Sequence, residues 1–421
     1  MKTMGVRLYG ENDLRLEEFE LPAITDDEIL VENVSDSICM SSYKAAIQGT
    51  RHKRVPADIA QNPVVIGHEY CGRILKVGKK WQDRFHEGER FGIQPAINLP
   101  GSMYTPGYAY MYCGGDMTYS IIDKDVLGQN CLLHFDGSAF FYGSLAEPLS
   151  CIIGAFHAQY HTERGSYVHS MGIKDGGSMA ILAGAGPMGL GAIDYAINAD
   201  RRPSLLVVTD VNEERLKRAA SIYTAEMAQK RGVKLIYKNT SAGDAASELR
   251  EISGGRGYDD VFVFAPVPAV IEQADSILAF DGCLNFFAGP TDIGLSARFN
   301  FYNVHYSATH IVGTSGGNTE DMIEALDMMS SGRLNPAGMI THVGGLDSVA
   351  ETTLNLPGIP GGKKLCYTHI SMPMTAIDDF AEKGKEDPLF AKLAEICGAN
   401  NGLWCAQAEE YLLANGRKID L

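Results

Sequence analysis

From Met1 to about Ser150 the apolar positions come in short runs: GVRLY, EILVENV, YCGRILKVG, ERFGIQPAI and MTYSIID. Each is closed by Gly, Pro or Asp, the punctuation of an irregular β-rich domain, expected over residues 1–150. A stretch rich in Gly, Tyr, Met and Pro, Asn98–Gly115, interrupts it. After Leu149 the rhythm changes. MAILAGAG, SLLVVTD, VKLIYKN, DDVFVFAP and CLNFFAGP read as buried strands, separated by helical patterns such as GLGAIDYAINA and EERLKRAASIYTAEMAQKRG. That alternation predicts an α/β domain over 151–313, a doubly wound parallel sheet covered by helices. The remainder, 314–421, opens with a helix over TEDMIEALDMMSSG, a strand at Ile340–Val343 and another helix. Beyond Lys364 lies a tail with two predicted helices. One has Asp387 as N-cap and Pro388 in its first turn and stops at Gly398; the other covers about Leu403 to Ala414.

Composition narrows the function classes. The chain has 421 residues with 52 acidic against 36 basic side chains, a formal charge of −16. An acidic chain repels phosphate backbones, so nucleic acid is not an expected partner. The N-terminal residues hold no apolar run of signal-peptide type, and the longest apolar stretch is broken by glycines, Pro187 and Asp194, so no membrane span is expected. Nine cysteines without paired spacing read as reduced thiols, which points to a cytoplasmic enzyme.

The strongest local signal is SMAILAGAGPMGLG. A strand runs into Gly184, Ala185, Gly186, Pro187, Met188 and Gly189, which open a helix. Gly184 suits a tight turn, Gly186 the close approach of a pyrophosphate, and Gly189 close packing of helix on strand. Free N–H groups at the helix start would hold the phosphates. Asp210, 21 residues past Gly189 at the end of SLLVVTD, stands near the offset expected for the acid on the ribose hydroxyls. This favours NAD, with NADP as the alternative, since Arg215 could stack on adenine or serve a 2′-phosphate.

Hydride transfer from an alcohol needs its hydroxyl proton removed, which a zinc ion with three protein ligands and one open position assists. The β-rich region offers Cys39, His68 and Glu147; a thiolate and a carboxylate together would balance the 2+ charge. Cys151, one helical turn after Glu147, is a rival third ligand. His157 and His161 share the i, i+4 spacing of a zinc-protease helix, but Ala158 stands where such a helix needs Glu, so they read as structural.

Taken in order, ICMSSYK, the GHE at Gly67–Glu69, AEPLS at Ala146–Ser150, GAGPMGL, TDVNEERL and NFFAGP resemble the zinc-dependent medium-chain dehydrogenase/reductase family, in its polyol (sorbitol-type) dehydrogenase branch. The resemblance spans about Val6 to Lys364. It implies a GroES-like catalytic domain, to which the chain returns after the dinucleotide-binding Rossmann domain, and a homo-oligomer. It also implies Cys39, His68 and Glu147 as ligands of one catalytic zinc, Glu69 as a second acid near the metal, and Ser41 as the hydroxyl that relays the substrate proton. Four features depart from the family pattern. The usual Cys-Gly-Ser-Asp is Cys39-Met40-Ser41-Ser42, and Lys44 replaces a common relay histidine. The loop that carries four cysteines in many members has only Cys113 here, so no structural zinc is expected. The tail is longer than usual.

Within that branch the likeness is to enzymes that interconvert L-sorbose 1-phosphate and D-glucitol 6-phosphate; dehydrogenation of an unphosphorylated polyol such as sorbitol is the alternative. Lys44 and the basic run Arg51, His52, Lys53, Arg54 are the candidate phosphate clamp, against the plainer reading of a solvated loop.

Overall fold

A computed structural model describes residues 1–420. The chain divides into two compact units, Met1–Pro148 with Met322–Leu421 in one, and Leu149–Asp321 in the other. The middle segment thus extends to Asp321, a few residues past the Gly313 at which the apolar rhythm changes.

In the first unit a mixed, largely antiparallel sheet forms where alternating apolar residues meet. In spatial order its main path runs Thr375–Ala376, Ile340–Gly345, Lys363–Tyr367, Ile29–Ile38, Tyr70–Val77, Arg90–Ile93 and Leu132–His134, and Tyr119–Ile122 also pairs with Ile29–Ile38. The late strand Lys363–Tyr367 lies against Ile29–Ile38, with Lys364 opposite Ile38, and Tyr70 lies opposite Asp36 on the other side. Three strand ends far apart in sequence are therefore neighbours. Ile29, Val31, Ile74, Phe91 and Ile93 bury one face of this sheet.

The second unit holds six parallel strands in the order Lys234–Asn239, Leu205–Asp210, Ser178–Leu182, Tyr258–Val263, Leu278–Phe286 and His310–Val312. Counting along the chain this is 3-2-1-4-5-6, the doubly wound order whose crevice opens at the carboxyl end of the first strand. Ala180, Leu182, Val207, Val261 and Leu284 are fully buried, which explains why these strands read as unbroken apolar runs. No helix among the described residues is long and apolar enough to cross a membrane.

In the tail, Asp387 caps a helix over Pro388–Ala399, its side chain accepting from Leu389 N at 2.8 Å, and a second helix covers Ala406–Asn415. The HAQYH pattern does not form one helix. The helix from Ala146 ends at Ala158, and His161 lies on the strand Tyr160–Thr162, bonded to Asp260 at 3.1 Å. His157 instead meets Asp321 at 2.7 Å.

Candidate functional site

Cys39 follows the strand Ile29–Ile38 directly and occupies the N-cap of the helix Met40–Gln48 without a side-chain cap bond, which leaves its sulfur available. His68 and Glu69 precede the neighbouring strand. Their approach requires Gly67, whose φ is +90° and whose added Cβ would lie 2.0 Å from Asp36 Oδ2. Ligand atoms of Cys39, His68 and Glu69 all lie within 4.8 Å of one another. This tight group contains Glu69, expected as a second acid near the metal, rather than Glu147, expected as the third ligand, and it does not contain Cys151. Glu147, in the first turn of the helix Ala146–Ala158, is half-buried, and its charge still raises the Cys39 thiol and the Lys363 ammonium.

The electrostatics suit a metal. Burial lowers His68 to about 4, so its imidazole is neutral at physiological pH, as ligation needs. Burial, with Glu69 beside it, pushes Cys39 up to about 12, so a thiolate forms there only with a cation to offset its charge. A soft sulfur, a neutral imidazole and carboxylates match zinc better than calcium or magnesium.

Two side chains at this site were not foreseen from the sequence. Lys363, at the start of the late strand, donates to both oxygens of Glu69 at 2.5 and 2.6 Å, with the two side chains 8% and 1% exposed. Burial alone would raise the Glu69 carboxyl, but Lys363 and His68 outweigh it and hold the group below the ordinary carboxylate range. Tyr108 comes from the Asn98–Gly115 stretch and is fully buried. Its hydroxyl is 3.3 Å from His68 Nε2 and lies near Ser41, whose own Oγ is 2.9 Å from Cys39 Sγ. On the other ring nitrogen, Ser42 Oγ meets His68 Nδ1 at 3.2 Å. Cys113, from the same stretch, is buried with its sulfur 3.5 Å from the Tyr70 hydroxyl.

The basic run divides. Arg54 lies over the Tyr108 ring with 5.3 Å from guanidinium to centroid, and its charge reaches His68. His52 stacks on the same ring at 5.7 Å, and Lys44 acts on His52. Arg51 is committed elsewhere: its guanidinium forks onto Glu11 at 2.8 and 2.9 Å.

Beneath the GHE turn, Asp36 and Asp116 are neighbouring buried carboxyls, with Asp36 accepting from Ser37 N at 2.6 Å and Glu69 N at 3.2 Å. Burial, with the charges of Asp116 and Glu69, raises Asp36 well above the ordinary carboxylate range, and burial raises Asp116 to about 7, so the pair retains protons. In the unfolded chain they are lost near pH 4. The stabilisation is therefore complete below about pH 4; the part due to Asp116 is lost as pH rises through about 7, and the part due to Asp36 at higher pH. Asp116→Asn, which keeps a donor for Asp36, is expected to flatten the pH dependence of Tm across that window and to raise Tm at pH 8. An unchanged slope would show that the proton is not held here.

In the second unit, the strand Ser178–Leu182 ends at the glycine-rich loop and Pro187 begins the helix Pro187–Asn198. The positive φ of the turn falls on Ala183, at 54°, rather than on Gly184. A Cβ on Gly189 would lie 2.0 Å from Gly184 O, so only glycine permits that packing, whereas a Cβ on Gly186 would meet nothing within 4 Å. Space for a phosphate is left beside Gly186. Asp210 is folded back onto this loop, its carboxylate accepting from Ala185 N at 3.3 Å and Asn212 N at 2.9 Å. Arg215 is exposed one turn further on.

A thiol, an imidazole and acids gathered in a β-rich unit, joined to a doubly wound unit with a dinucleotide loop, define a zinc-dependent dehydrogenase. Residues 25–149 match the family model described as alcohol dehydrogenase GroES-like domain, and residues 187–331 match that of zinc-binding dehydrogenase. The chain belongs to the zinc-dependent medium-chain dehydrogenase/reductase family, among its polyol and sugar-phosphate dehydrogenases, and is an NAD(P)-dependent oxidoreductase. It is 53% identical over 413 residues to a mannitol-1-phosphate 5-dehydrogenase of Aliivibrio fischeri, covering 98% of this chain and 97% of that one. It is 49% identical over 417 residues to an L-sorbose 1-phosphate reductase of Klebsiella pneumoniae, covering 99% and 98%. Among solved structures, a 2R,3R-butanediol dehydrogenase from Bacillus subtilis shares the fold with a TM-score of 0.68 at 21% identity, covering 87% of this chain and 99% of that one.

Proposed function

We propose that the protein interconverts a six-carbon ketose phosphate and the corresponding polyol phosphate, L-sorbose 1-phosphate and D-glucitol 6-phosphate, using NAD and one zinc ion. The observation that carries the phosphate is Arg54, seated on the ring of Tyr108, whose hydroxyl meets His68. The name of the Aliivibrio fischeri relative favours mannitol 1-phosphate as a second substrate reading, and it shares the phosphate.

Cys39, His68 and one or both of Glu69 and Glu147 would hold the metal. When bound, zinc supplies Lewis acidity that favours loss of the substrate hydroxyl proton. Ser41, 2.9 Å from Cys39 Sγ and near Tyr108, would take that proton away from the reacting oxygen. Lys363 keeps Glu69 ionised, and its charge also favours the Cys39 thiolate. Arg54 and Lys44 bind the phosphate, with Arg54 placed over the Tyr108 ring. In the other unit the N–H groups around Gly186–Gly189 take the pyrophosphate, and Asp210 takes the ribose hydroxyls and repels a 2′-phosphate.

The test is kinetic. A charge-assisted hydrogen bond contributes roughly 1.5–3 kcal/mol, or about 10–100-fold in affinity. Arg54→Ala is expected to raise KM for L-sorbose 1-phosphate by about that factor and barely to change KM for free sorbose. Arg51→Ala should leave both unchanged, because its partner is Glu11. An equal effect of Arg54→Ala on both sugars would return the unphosphorylated polyol to first place. Running the panel with NADH and NADPH checks Asp210 at the same time, since a preference for NADPH contradicts its role.

A further inference from the structure

The C-terminal tail lies beyond the residues matched by either family model. Its helices do not form a core of their own: Phe390, Leu393, Trp404 and Leu412 share one buried cluster with Phe141 and Leu145. At the centre of that contact is Glu409, 3% exposed. Its carboxylate accepts from Phe140 N at 2.6 Å, from Phe141 N at 2.8 Å and from the Tyr367 hydroxyl at 2.8 Å, and Trp404 Nε1 donates to that same hydroxyl at 2.8 Å.

Phe140 and Phe141 begin the helix Phe140–Ser144, whose N-cap is Ala139, with no side chain able to accept a bond. The first N–H groups of a helix have no partner within it. Here they are satisfied by a residue more than 260 positions away in sequence. Burying a carboxylate costs several kcal/mol, far more than a local Ser or Asp cap would. The arrangement therefore does something a local cap would not: it ties this helix to the tail. Leu145 alone separates the helix from Ala146–Ala158, whose first turn carries Glu147. From the opposite side, Ser35 Oγ donates to Ser144 Oγ at 2.9 Å, and Ser35 lies on the strand that leads to Cys39.

We propose that the tail is a brace for the metal site, in which Glu409 acts as a positioning residue that fixes the Phe140–Ser144 helix and, through it, the placement of Glu147. The inference rests on the reading of Glu147 as a metal-holding acid. Glu409→Gln retains the shape but offers a single acceptor oxygen to two N–H groups. Supporting groups around metal ligands typically change metal affinity by about 10–100-fold when altered. Glu409→Gln holoenzyme is expected to lose zinc to a chelator about 10–100-fold more readily, with kcat reduced and the dissociation constant for NADH unchanged.

Leu412→Ala serves as the control, because it loosens the tail core while leaving the carboxylate bonds in place. At a matched loss of Tm it should retain zinc better than Glu409→Gln; equal loss in the two variants would reduce Glu409 to a packing role and overturn the brace. A wild-type measurement guards against a variant that fails to fold. Coupling between sites is reciprocal, so chelating zinc from the native enzyme should raise amide exchange in Phe140–Ser144 and Ala406–Asn415 more than in Lys2–Gly10. Unchanged exchange in those helices would overturn the proposal. Glu147→Gln, assayed alongside, separates the two claims. If it keeps zinc as the wild type does, the Glu147 reading falls and the brace with it. If it loses zinc while Glu409→Gln does not, the brace alone falls.

Discussion

Cys39→Ala is expected to abolish both zinc retention and hydride transfer while leaving the fold intact. The thiol caps no helix, so its removal takes no hydrogen bond from the backbone. It does remove the only sulfur from the group that Cys39 forms with His68 and Glu69. Lewis-acid stabilisation contributes several kcal/mol, and each 1.36 kcal/mol is tenfold in rate, so a fall of about a thousand-fold or more is expected. Turnover, metal content and Tm measured together test this. Near-normal turnover in a well-folded variant would remove zinc from the mechanism.

Lys363→Met is expected to have the largest effect on stability, a loss of about 3–5 kcal/mol, because it leaves the buried Glu69 carboxylate without its cation. Glu69 is 1% exposed and has no access to water in compensation. Adding Glu69→Gln should recover much of the loss, since an amide buried beside a thioether carries no net charge. Denaturant unfolding of the single and double variants measures the coupling. A single variant within about 1 kcal/mol of wild type would mean that the pair is solvated in solution.

That lysine also shows where sequence reading stops. The dinucleotide loop was legible because strand, glycines, helix and Asp210 lie in one stretch, and the constraint on each is local. Cys39 and His68, with Glu69 as an acid beside them, were legible through the motifs around them, whereas the exchange of Glu147 for Glu69 in the tight group was not. Lys363 was not, because lysine is almost never buried unless paired, and its partner is 294 residues away. The five-residue strand KKLCY has too little alternation to be seen, yet it lies directly beside the strand that ends at Cys39. Tyr108 was hidden in a stretch without periodicity; what carries it to His68 is Gly107, whose added Cβ would lie 2.0 Å from Gly67 O. The two histidines of HAQYH look alike in sequence and differ in structure because Asp260 and Asp281 draw His161 onto a strand. Arg51 and Arg54 likewise share a run, and only the fold shows that Glu11 takes the first while Tyr108 seats the second.

The most direct test of the account is metal content measured together with turnover of L-sorbose 1-phosphate on the same purified sample, before chelation, after it, and after zinc is restored. The account predicts about one zinc per chain, activity lost as the zinc is withdrawn, and recovery when it is returned. Full reduction of the ketose phosphate by metal-free protein would contradict it.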